Sequence, residues 1–499
     1  MNPALNQFIN RLSAAGKYKR PVYLWLLIFI EIVFLTGYLY HQGGYFTYQF
    51  NGDEPGYLMF PFSPLKAMLD NHRSFGLPVF ISIFNLFTHD FFLWPYYQYL
   101  IYILSILFLF WAILKSGTDR IFSFIFLSLI LWDTGIYTMF PPVRTEMLCI
   151  AFLHLTLGMM FIAVRYNRWF TNLFFALCLF LLYQIRPNVS YIAFVAPFWA
   201  IMIAFIFQGY SLKTARSVFI RFTLTSILPL FLFGLLRFIV VGQFGFATMT
   251  GGTLSGHAVQ YLDEKNVILL KGESKIIGDE ILRRKRLFTY PCNLSPFKSK
   301  IIPKQSPIIT EADCFPSNLM MAWLVAIKHE TGIEPFRTPE ENLEAWKHTL
   351  TLSPFYMKYY HATTDKILMN FSKEILKIEW KQYLNWLVGS AGYGLAMFFG
   401  KKELTAIYFL CLGIAFAVQF WLRIGPGRKL SFSVWQRQIL ALSFISLSNF
   451  ILGFIPLLIF NYPFERMFVT MTPYLFPSII LWAIPPLWLP KKKSWQGTG

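Results

Sequence analysis

Charge is scarce in this sequence. Only 14% of the residues are charged, whereas 56% are hydrophobic and 19% are aromatic. Water does not keep a chain of this balance in solution, so the composition excludes an ordinary soluble protein and indicates a lipid bilayer as the solvent. Internal repeats and low-complexity stretches are also lacking, which argues against transporters built from inverted repeats.

Long apolar runs recur along the sequence. Each is about long enough to cross the ~30 Å hydrocarbon layer as a helix. We therefore predict an all-α polytopic membrane protein with ten or eleven transmembrane helices, near residues 21–40, 95–114, 121–140, 146–164, 169–186, 189–208, 219–241, 384–400, 403–422, 438–460 and 467–488.

The first run, 21–40, follows Lys17, Lys19 and Arg20. These charges favour a cytoplasmic start with the helix emerging outward. The run is too long for the apolar part of a signal peptide and no small-residue cleavage pattern follows it, so we expect it to remain as an anchor. The predicted localisation is the inner (plasma) membrane, with a site facing the periplasm or exterior.

This topology divides the chain into four parts. Residues 1–241 form a module of about seven helices, whose first outer loop, 41–94, contains short interfacial helices. Residues 242–383 form a long extracytoplasmic loop that holds 15 of the 25 acidic residues. Residues 384–490 are the C-terminal helices and 491–499 a cytoplasmic tail. We expect one of 384–400 and 403–422 not to cross, and 384–400 is the weaker span.

A net charge of +19 would also suit a protein that binds nucleic acid. The basic residues fall mainly between spans, which is the pattern of positive-inside topology and not of a nucleic-acid-binding stripe. Examples are Lys115, Arg120, Arg165, Arg168, Lys213, Arg216 and Lys491 to Lys493. We therefore expect no nucleic-acid partner, and a lipid bilayer as one partner.

Five cysteines occur in two settings. Cys149, Cys178 and Cys411 lie in apolar runs, where a free cysteine acts as a small core residue. Cys292 and Cys314 lie in the long polar loop. If the loop is extracytoplasmic, these two form a disulfide; the alternative is two free thiols.

An acidic pair, Asp53-Glu54, lies in a tight Gly/Pro turn just after the first helix. A carboxylate held at the membrane surface could take a proton from an acceptor hydroxyl or bind a metal, and Tyr57 lies in the same turn. The alternative is an acidic turn solvated by water.

Charged clusters recur at the predicted outer ends of later helices. Arg144 and Glu146 open the fourth helix, where Glu146 also suits the helix dipole. Arg186 ends the fifth helix, and either pairs with an acid such as Glu146 or Asp53 or binds an anion. Glu465 and Arg466 open the last helix. Together these cations and acids suit a phosphate and a proton transfer.

In this order, the clusters resemble the GT-C superfamily of glycosyltransferases that use polyprenyl-phosphate-linked sugars, which includes the protein O-mannosyltransferases and the lipid A aminoarabinose transferases. The elements that carry the resemblance are Asp53-Glu54, Arg144 with Glu146, Arg186-Pro187 and Glu465-Arg466. The resemblance spans most of the helical part. Where many relatives have Arg-Tyr before the last helix, this chain has Arg466-Met467.

The resemblance implies inverting transfer of a sugar from a polyprenyl phosphate to a cell-surface glycan or lipid, such as lipopolysaccharide. Asp53 would be the general base and Glu54 would orient it or the acceptor. Arg186, Arg466 and Arg144 would bind the donor phosphate, with Glu146, Tyr57 and Glu465 in support. No cofactor is then required, and a divalent metal stays open because some relatives use one.

Two other functions remain as alternatives. An O-antigen polymerase or ligase would use a lipid-diphosphate donor and place its arginines in the large outer loop, as Arg283, Arg284 and Arg286 could be. A transporter or flippase for lipid-linked sugars would need ionisable residues within its spans, and we identify Glu31 and Asp133 as candidates.

Overall fold

The structure is a computed structural model that describes residues 22–50, 54–208, 211–287, 307–333, 358–399, 434–460 and 470–483. These residues form α-helices and short 3-10 turns, and no strand occurs among them. The helices in chain order are α1 (Val22–Gln42), α2 (Pro55–Leu58), α3 (Leu65–Asp70), α4 (Gly76–Asn85), α5 (Trp94–Lys115), α6 (Arg120–Leu131), α7 (Thr134–Tyr137), α8 (Thr145–Tyr166), α9 (Trp169–Ile185), α10 (Ile192–Gln208), α11 (Leu212–Val241), α12 (Thr250–Tyr261), α13 (Glu264–Val267), α14 (Gly272–Leu287), α15 (Pro307–Thr331), α16 (Ala362–Ile378), α17 (Trp380–Phe399), α18 (Val434–Phe460) and α19 (Leu475–Ala483).

Six stretches of the described chain are long and apolar enough to cross a membrane. They are Val22–Gln42, Phe91–Lys115, Thr145–Tyr166, Pro187–Phe207, Leu212–Val241 and Gln436–Ile459. The predicted class, an all-α membrane protein, is confirmed, while α6 and α9 are shorter apolar helices. Helix α17, within which the predicted weaker span lies, is not among the six, and 403–422 lies outside the described residues.

Helix α8 is at the centre of the bundle. Of its apolar stretch 89% is buried, compared with 22% for α1 and for α11. Helix α8 packs against α5, α9 and α10. The outer helices keep large apolar side chains exposed, such as Phe34 at 69% and Ile239 at 72%. An exposed apolar surface of this kind fits lipid as the surrounding solvent.

The predicted helix 121–140 is interrupted. Asp119 caps the start of α6 by accepting hydrogen bonds from the backbone N–H groups of Ile121 and Phe122 at 3.0 and 2.9 Å. The helix ends at Leu131, and Asp133 lies in the link between α6 and α7. A carboxylate within a membrane helix is costly. The break therefore places Asp133 outside the regular helix in which the sequence prediction had put it.

Residues 242–383, predicted as a long loop, are mainly helical where they are described. We call α12 to α16, which the sequence predicts to lie outside the membrane, the extramembrane unit. Its own core includes Trp323, Tyr360 and Phe371. Glycine allows α12 to approach this core closely, because a Cβ on Gly252 would lie 2.4 Å from Trp323 Nε1 and from Tyr360 Oη. The predicted boundary at 383/384 falls inside α17.

Alternate links between the helices meet at one end of the bundle, which we call the loop end. The backbone N–H of Gln49 donates to the carbonyl of Pro141 at 3.2 Å, and that of Thr248 donates to Asn71 at 3.1 Å. These bonds join the first loop to the segment before α8 and to the segment after α11. The predicted outer segments therefore lie together, as alternating topology requires.

Helix α18 runs toward the loop end. Near its start, Arg437 Nη1 donates to the carbonyl of Phe205 at the far end of α10. Further along, Asn449 accepts a hydrogen bond from Tyr191 at 2.8 Å, beside the loop-end start of α10. The chain thus leaves α18 at the loop end, just before Glu465 and Arg466, which lie outside the described residues.

Candidate functional site

The acidic turn after α1 contains a buried carboxylate. Glu54 is 2% exposed, and its Oε1 accepts a hydrogen bond from Tyr48 Oη. Burial raises the pKa of the Tyr48 hydroxyl, and the hydrogen bond and negative charge of Glu54 raise it further. Tyr48 therefore keeps its proton and acts as a donor to Glu54. Asp53, the predicted general base, lies outside the described residues.

The acidic turn lies beside the segment that leads into α8. Gln49, next to Tyr48 in the chain, is bonded to the carbonyl of Pro141. Gln98 of α5 fixes the same segment by donating to the carbonyl of Pro142 at 2.9 Å. Arg144 follows in extended conformation at the start of α8. The geometry therefore brings the first two predicted clusters to one place.

Arg186 is paired with an acid. Its Nη1 lies 3.1 Å from Glu146 Oε1 and donates to Thr145 Oγ1 at 2.9 Å. The two charged side chains are only 8% and 4% exposed. The pairing with Glu146, one of the two interpretations of Arg186, is present in the structure. Anion binding by Arg186 stays a prediction.

Helix dipoles favour the same pair. Glu146 lies in the first turn of α8, where the N-terminal partial charge is positive. Arg186 follows the last turn of α9, where the partial charge is negative. Each charge is therefore stabilised by its own helix as well as by its partner. This offsets part of the desolvation cost that two buried charges carry.

Tyr57 is held by a residue that the sequence did not single out. Arg73 Nη1 donates to Tyr57 Oη at 3.2 Å, and the guanidinium carbon lies 4.8 Å from the centre of the Tyr57 ring. This geometry is that of a cation–π contact. The fit is close at Gly56, where a Cβ would lie 3.3 Å from Arg73 Nε. Arg73 thus adds a cation beside the acidic turn.

A second polar network joins the first loop to α11. The Arg237 side chain is fully buried near the end of α11. Its Nε donates to the carbonyl of Leu69 at 2.6 Å, and its Nη2 donates to Gln243 at 3.0 Å and to Thr248. One side chain therefore fixes both the end of α3 and the segment that leads into the extramembrane unit.

Asp365 of α16 extends this network. It is fully buried and accepts hydrogen bonds from the Gly252 N–H at 3.0 Å, Tyr360 Oη at 2.8 Å and Gln243 Nε2 at 2.7 Å. Gln243 bonds Arg237 with its oxygen and Asp365 with its nitrogen. The amide therefore bridges a buried cation and a buried anion that do not touch directly.

Asp70 forms a further connection. Its Oδ1 accepts from the Ala362 N–H at 2.7 Å, and its Oδ2 lies 3.5 Å from His361 Nδ1. Burial raises the pKa of the Asp70 carboxyl, and the hydrogen bond from the Ala362 N–H and the electrostatic influence of His361, Arg237 and Lys66 oppose this rise. The first loop is thus attached directly to the N-terminus of α16.

Sequence reasoning found some of these residues and missed others. Arg73 and Asp70 belong to the charged first loop, but nothing in the sequence assigns them partners. Arg237 carried a usable signal, because an arginine in an apolar run needs a buried partner. His154 carried the same signal: it is fully buried in the middle of α8, 3.2 Å from Ser105 Oγ.

The alternative functions relied on residues that have structural partners. Arg283 and Arg284 both bond Glu280, at 2.6 and 2.9 Å. Arg286 bonds Glu264 at 2.7 Å. In the bundle, one carboxylate oxygen of Glu31 accepts a hydrogen bond from Ser128 of α6 at 3.0 Å.

Cys149 and Cys178 are free, as predicted for residues in apolar runs. Cys314 is disulfide-bonded, and its partner lies outside the described residues. The pairing with Cys292 therefore stays a prediction. Cys411 also lies outside the described residues.

Within the described ranges, no group of three or more His, Cys, Asp or Glu side chains is arranged to hold a metal ion. The predicted need for a metal stays open. No family model matches the chain, and no characterised protein or solved structure matches it. The functional argument therefore depends on the residues themselves.

Proposed function

We propose that this protein is an integral-membrane inverting glycosyltransferase. It moves one sugar from a polyprenyl-phosphate donor to a cell-surface glycan or lipid, such as lipopolysaccharide, at the outer face of the inner membrane. The observation that supports this most is the meeting, at the loop end, of the acidic turn with Glu54, the segment before α8 and the Glu146–Arg186 pair. Acids for proton transfer and cations for phosphate are then available at one membrane face.

The proposed reaction is a single displacement. The acceptor oxygen forms a bond to the anomeric carbon while the bond from that carbon to the phosphate oxygen breaks. Asp53 takes the proton of the acceptor hydroxyl, and the polyprenyl phosphate leaves with the bonding electrons. Phosphate is a good leaving group, so the protein mainly has to align the two substrates and offset the growing negative charge.

Glu54 and Tyr48 serve this reaction by holding the turn. The Tyr48 hydroxyl anchors the Glu54 carboxylate, and the Tyr57 N–H donates to the backbone carbonyl of Glu54 at 2.9 Å. Asp53, which directly precedes this anchored turn in the sequence, is assigned as the general base. Arg186, held by Glu146, is assigned to the leaving phosphate together with Arg144 and Arg466. In this role Glu146 sets the position of the cation.

The decisive test is Asp53→Asn, assayed in membranes supplied with polyprenyl-phosphate-linked sugars. We expect transfer to be lost while the protein still folds, because the amide cannot accept the proton. The matched control is Asp279→Asn, the same change at a side chain that is 54% exposed on α14. Unchanged turnover in Asp53→Asn would overturn the proposal.

The products separate the proposal from its rivals. Addition of single sugars supports a polyprenyl-phosphate sugar transferase. Polymer ladders would assign the chain to the polymerase or ligase class. Movement of the lipid-linked sugar across proteoliposomes without any acceptor would assign it to the transporters.

A further inference from the structure

We propose that the extramembrane unit inserts an apolar tip into the surface of the bilayer. The tip consists of Ile268 and Leu269, between α13 and α14, which are 71% and 60% exposed. Ile276, near the start of α14, is 56% exposed. Adjacent apolar side chains with so much exposure mark an interaction surface when they form a patch.

The tip is held rigidly. Asp263 and Asn266 form a reciprocal capping box around α13. On either side of the tip, Val267 and Leu270 are buried. Both pack on Gly278 of α14, where a Cβ would lie 2.8 Å from Leu270 and 3.0 Å from Val267. The exposed pair is therefore presented by a packed turn.

The tip lies close to the start of α17, which a hydrogen bond joins to the end of a stretch that can cross the membrane. The Lys271 N–H and the Ser274 hydroxyl donate to the Glu374 carboxylate at 3.4 and 2.9 Å. Glu374 precedes Trp380, the first residue of α17, by six positions. At about 1.5 Å per helical residue this is a distance of roughly 9 Å.

Trp380 is itself at the membrane level. Tyr383, on the first turn of α17, donates to the carbonyl of Ile459 at 2.6 Å. Ile459 is the last residue of a stretch that can cross the membrane. Trp380 is 54% exposed, with the Lys381 ammonium 5.8 Å from its ring. Exposed tryptophan beside lysine at the end of a span is typical of the membrane interface.

The charge around the tip suits anionic lipid headgroups. Lys265 and Lys271 flank the tip, are exposed, and have no ion pair within the part of the chain that the structure describes. Of the nearby acids, Glu264 bonds Arg286, Glu273 bonds His329, and Asp263 accepts the N–H groups of Lys265 and Asn266 as the cap of α13. The lysines can therefore keep their ammonium groups at the headgroups while the tip enters the apolar layer.

The test places a nitroxide label on Leu269→Cys, in vesicles of phosphatidylcholine with or without phosphatidylglycerol. Power saturation with oxygen and with a water-soluble nickel chelate measures depth, after subtraction of the signal from the labelled parent chain. We expect a higher oxygen-to-nickel collision ratio than for a label on Asp279→Cys, and a further rise with phosphatidylglycerol. Lys265→Glu with Lys271→Glu should remove that further rise.

Equal water access at positions 269 and 279 would overturn the inference. Dipolar coupling between labels at position 269 of two chains would also overturn it, because it would assign the tip to a second copy of this chain. The experiment needs no sugar donor or acceptor. Its outcome is therefore independent of the proposed glycosyl transfer.

Discussion

A buried ion pair of the bundle and an exposed ion pair of the extramembrane unit differ in their contact with water. In the bundle, the Glu146–Arg186 pair is 4% and 8% exposed. In the unit, the Arg286–Glu264 pair is 67% and 75% exposed. Water solvates the second pair whether or not it forms, but it does not reach the first. A buried charge at the loop end therefore requires a partner or a ligand, whereas a charge on the exposed surface of the unit requires neither.

The largest effect is expected when one member of the buried pair is removed. Glu146→Leu should destabilise the protein by about 3–5 kcal/mol, because Arg186 would be left as a buried charge. Thermal unfolding in detergent measures this loss. The double variant Glu146→Leu with Arg186→Met should recover a large part of it, and a double variant that loses as much as the two single changes together would contradict the interpretation.

A smaller loss is expected for Asp365→Asn. The carboxylate accepts three hydrogen bonds, one each from Gly252, Tyr360 and Gln243. A hydrogen bond to a charged group contributes about 1.5–3 kcal/mol. The asparagine amide has one accepting oxygen, so at least one donor loses its partner. Hydrogen exchange at the Gly252 amide should accelerate. Asp279→Asn serves as the exposed control and should leave that exchange rate unchanged.

Acid should weaken the unit through Glu280. Hydrogen bonds from Arg283 and Arg284 and the charges of Arg284 and Lys328 lower the pKa of its carboxyl to about 2. Since this folded-state pKa is below the ordinary value, the contribution to stability is present above about pH 4.5 and is lost as the pH falls toward 2. Unfolding of Glu280→Gln followed between these pH values should show a shallower loss, and an identical slope in both proteins would contradict the assignment.

The smallest effect is expected at the exposed pair. Arg286→Ala should change stability by less than about 1 kcal/mol, because solvent screens the interaction with Glu264. High salt should remove even this difference. A loss as large as that of Glu146→Leu would break the comparison between the two regions.

Much of the fold follows from the sequence alone. Apolar run length places α1, α5 and α8 within a few residues, since the bilayer imposes one length on every crossing helix. The break after α6 was missed because run length does not register the cost of one carboxylate. The helices of the unit were missed because the prediction relied on apolar run length. Their apolar positions recur at helical spacing but are separated by polar residues, so they form no long run.

The candidate site is predictable only in outline. Sidedness follows from topology, so the sequence brings Glu54, Arg144 and Arg186 to one membrane face. Their partners depend on long-range packing. Glu146 could be named as a partner of Arg186 because both residues end helices at that face, whereas the Arg237–Gln243–Asp365 bridge joins segments whose proximity no local pattern records.

The order of synthesis determines when Arg237 meets each of its partners. Synthesis proceeds from the N-terminus, so Leu69 is already in place when α11 enters the membrane, and its carbonyl can receive the Arg237 side chain at once. Asp365 arrives only after the next hundred or so residues. Asp70 and Asp365 are the two acids whose charges act on the guanidinium, and a ribosome that stops before α16 leaves a chain with only the first of them. Such truncated chains should be preferred substrates of membrane quality control.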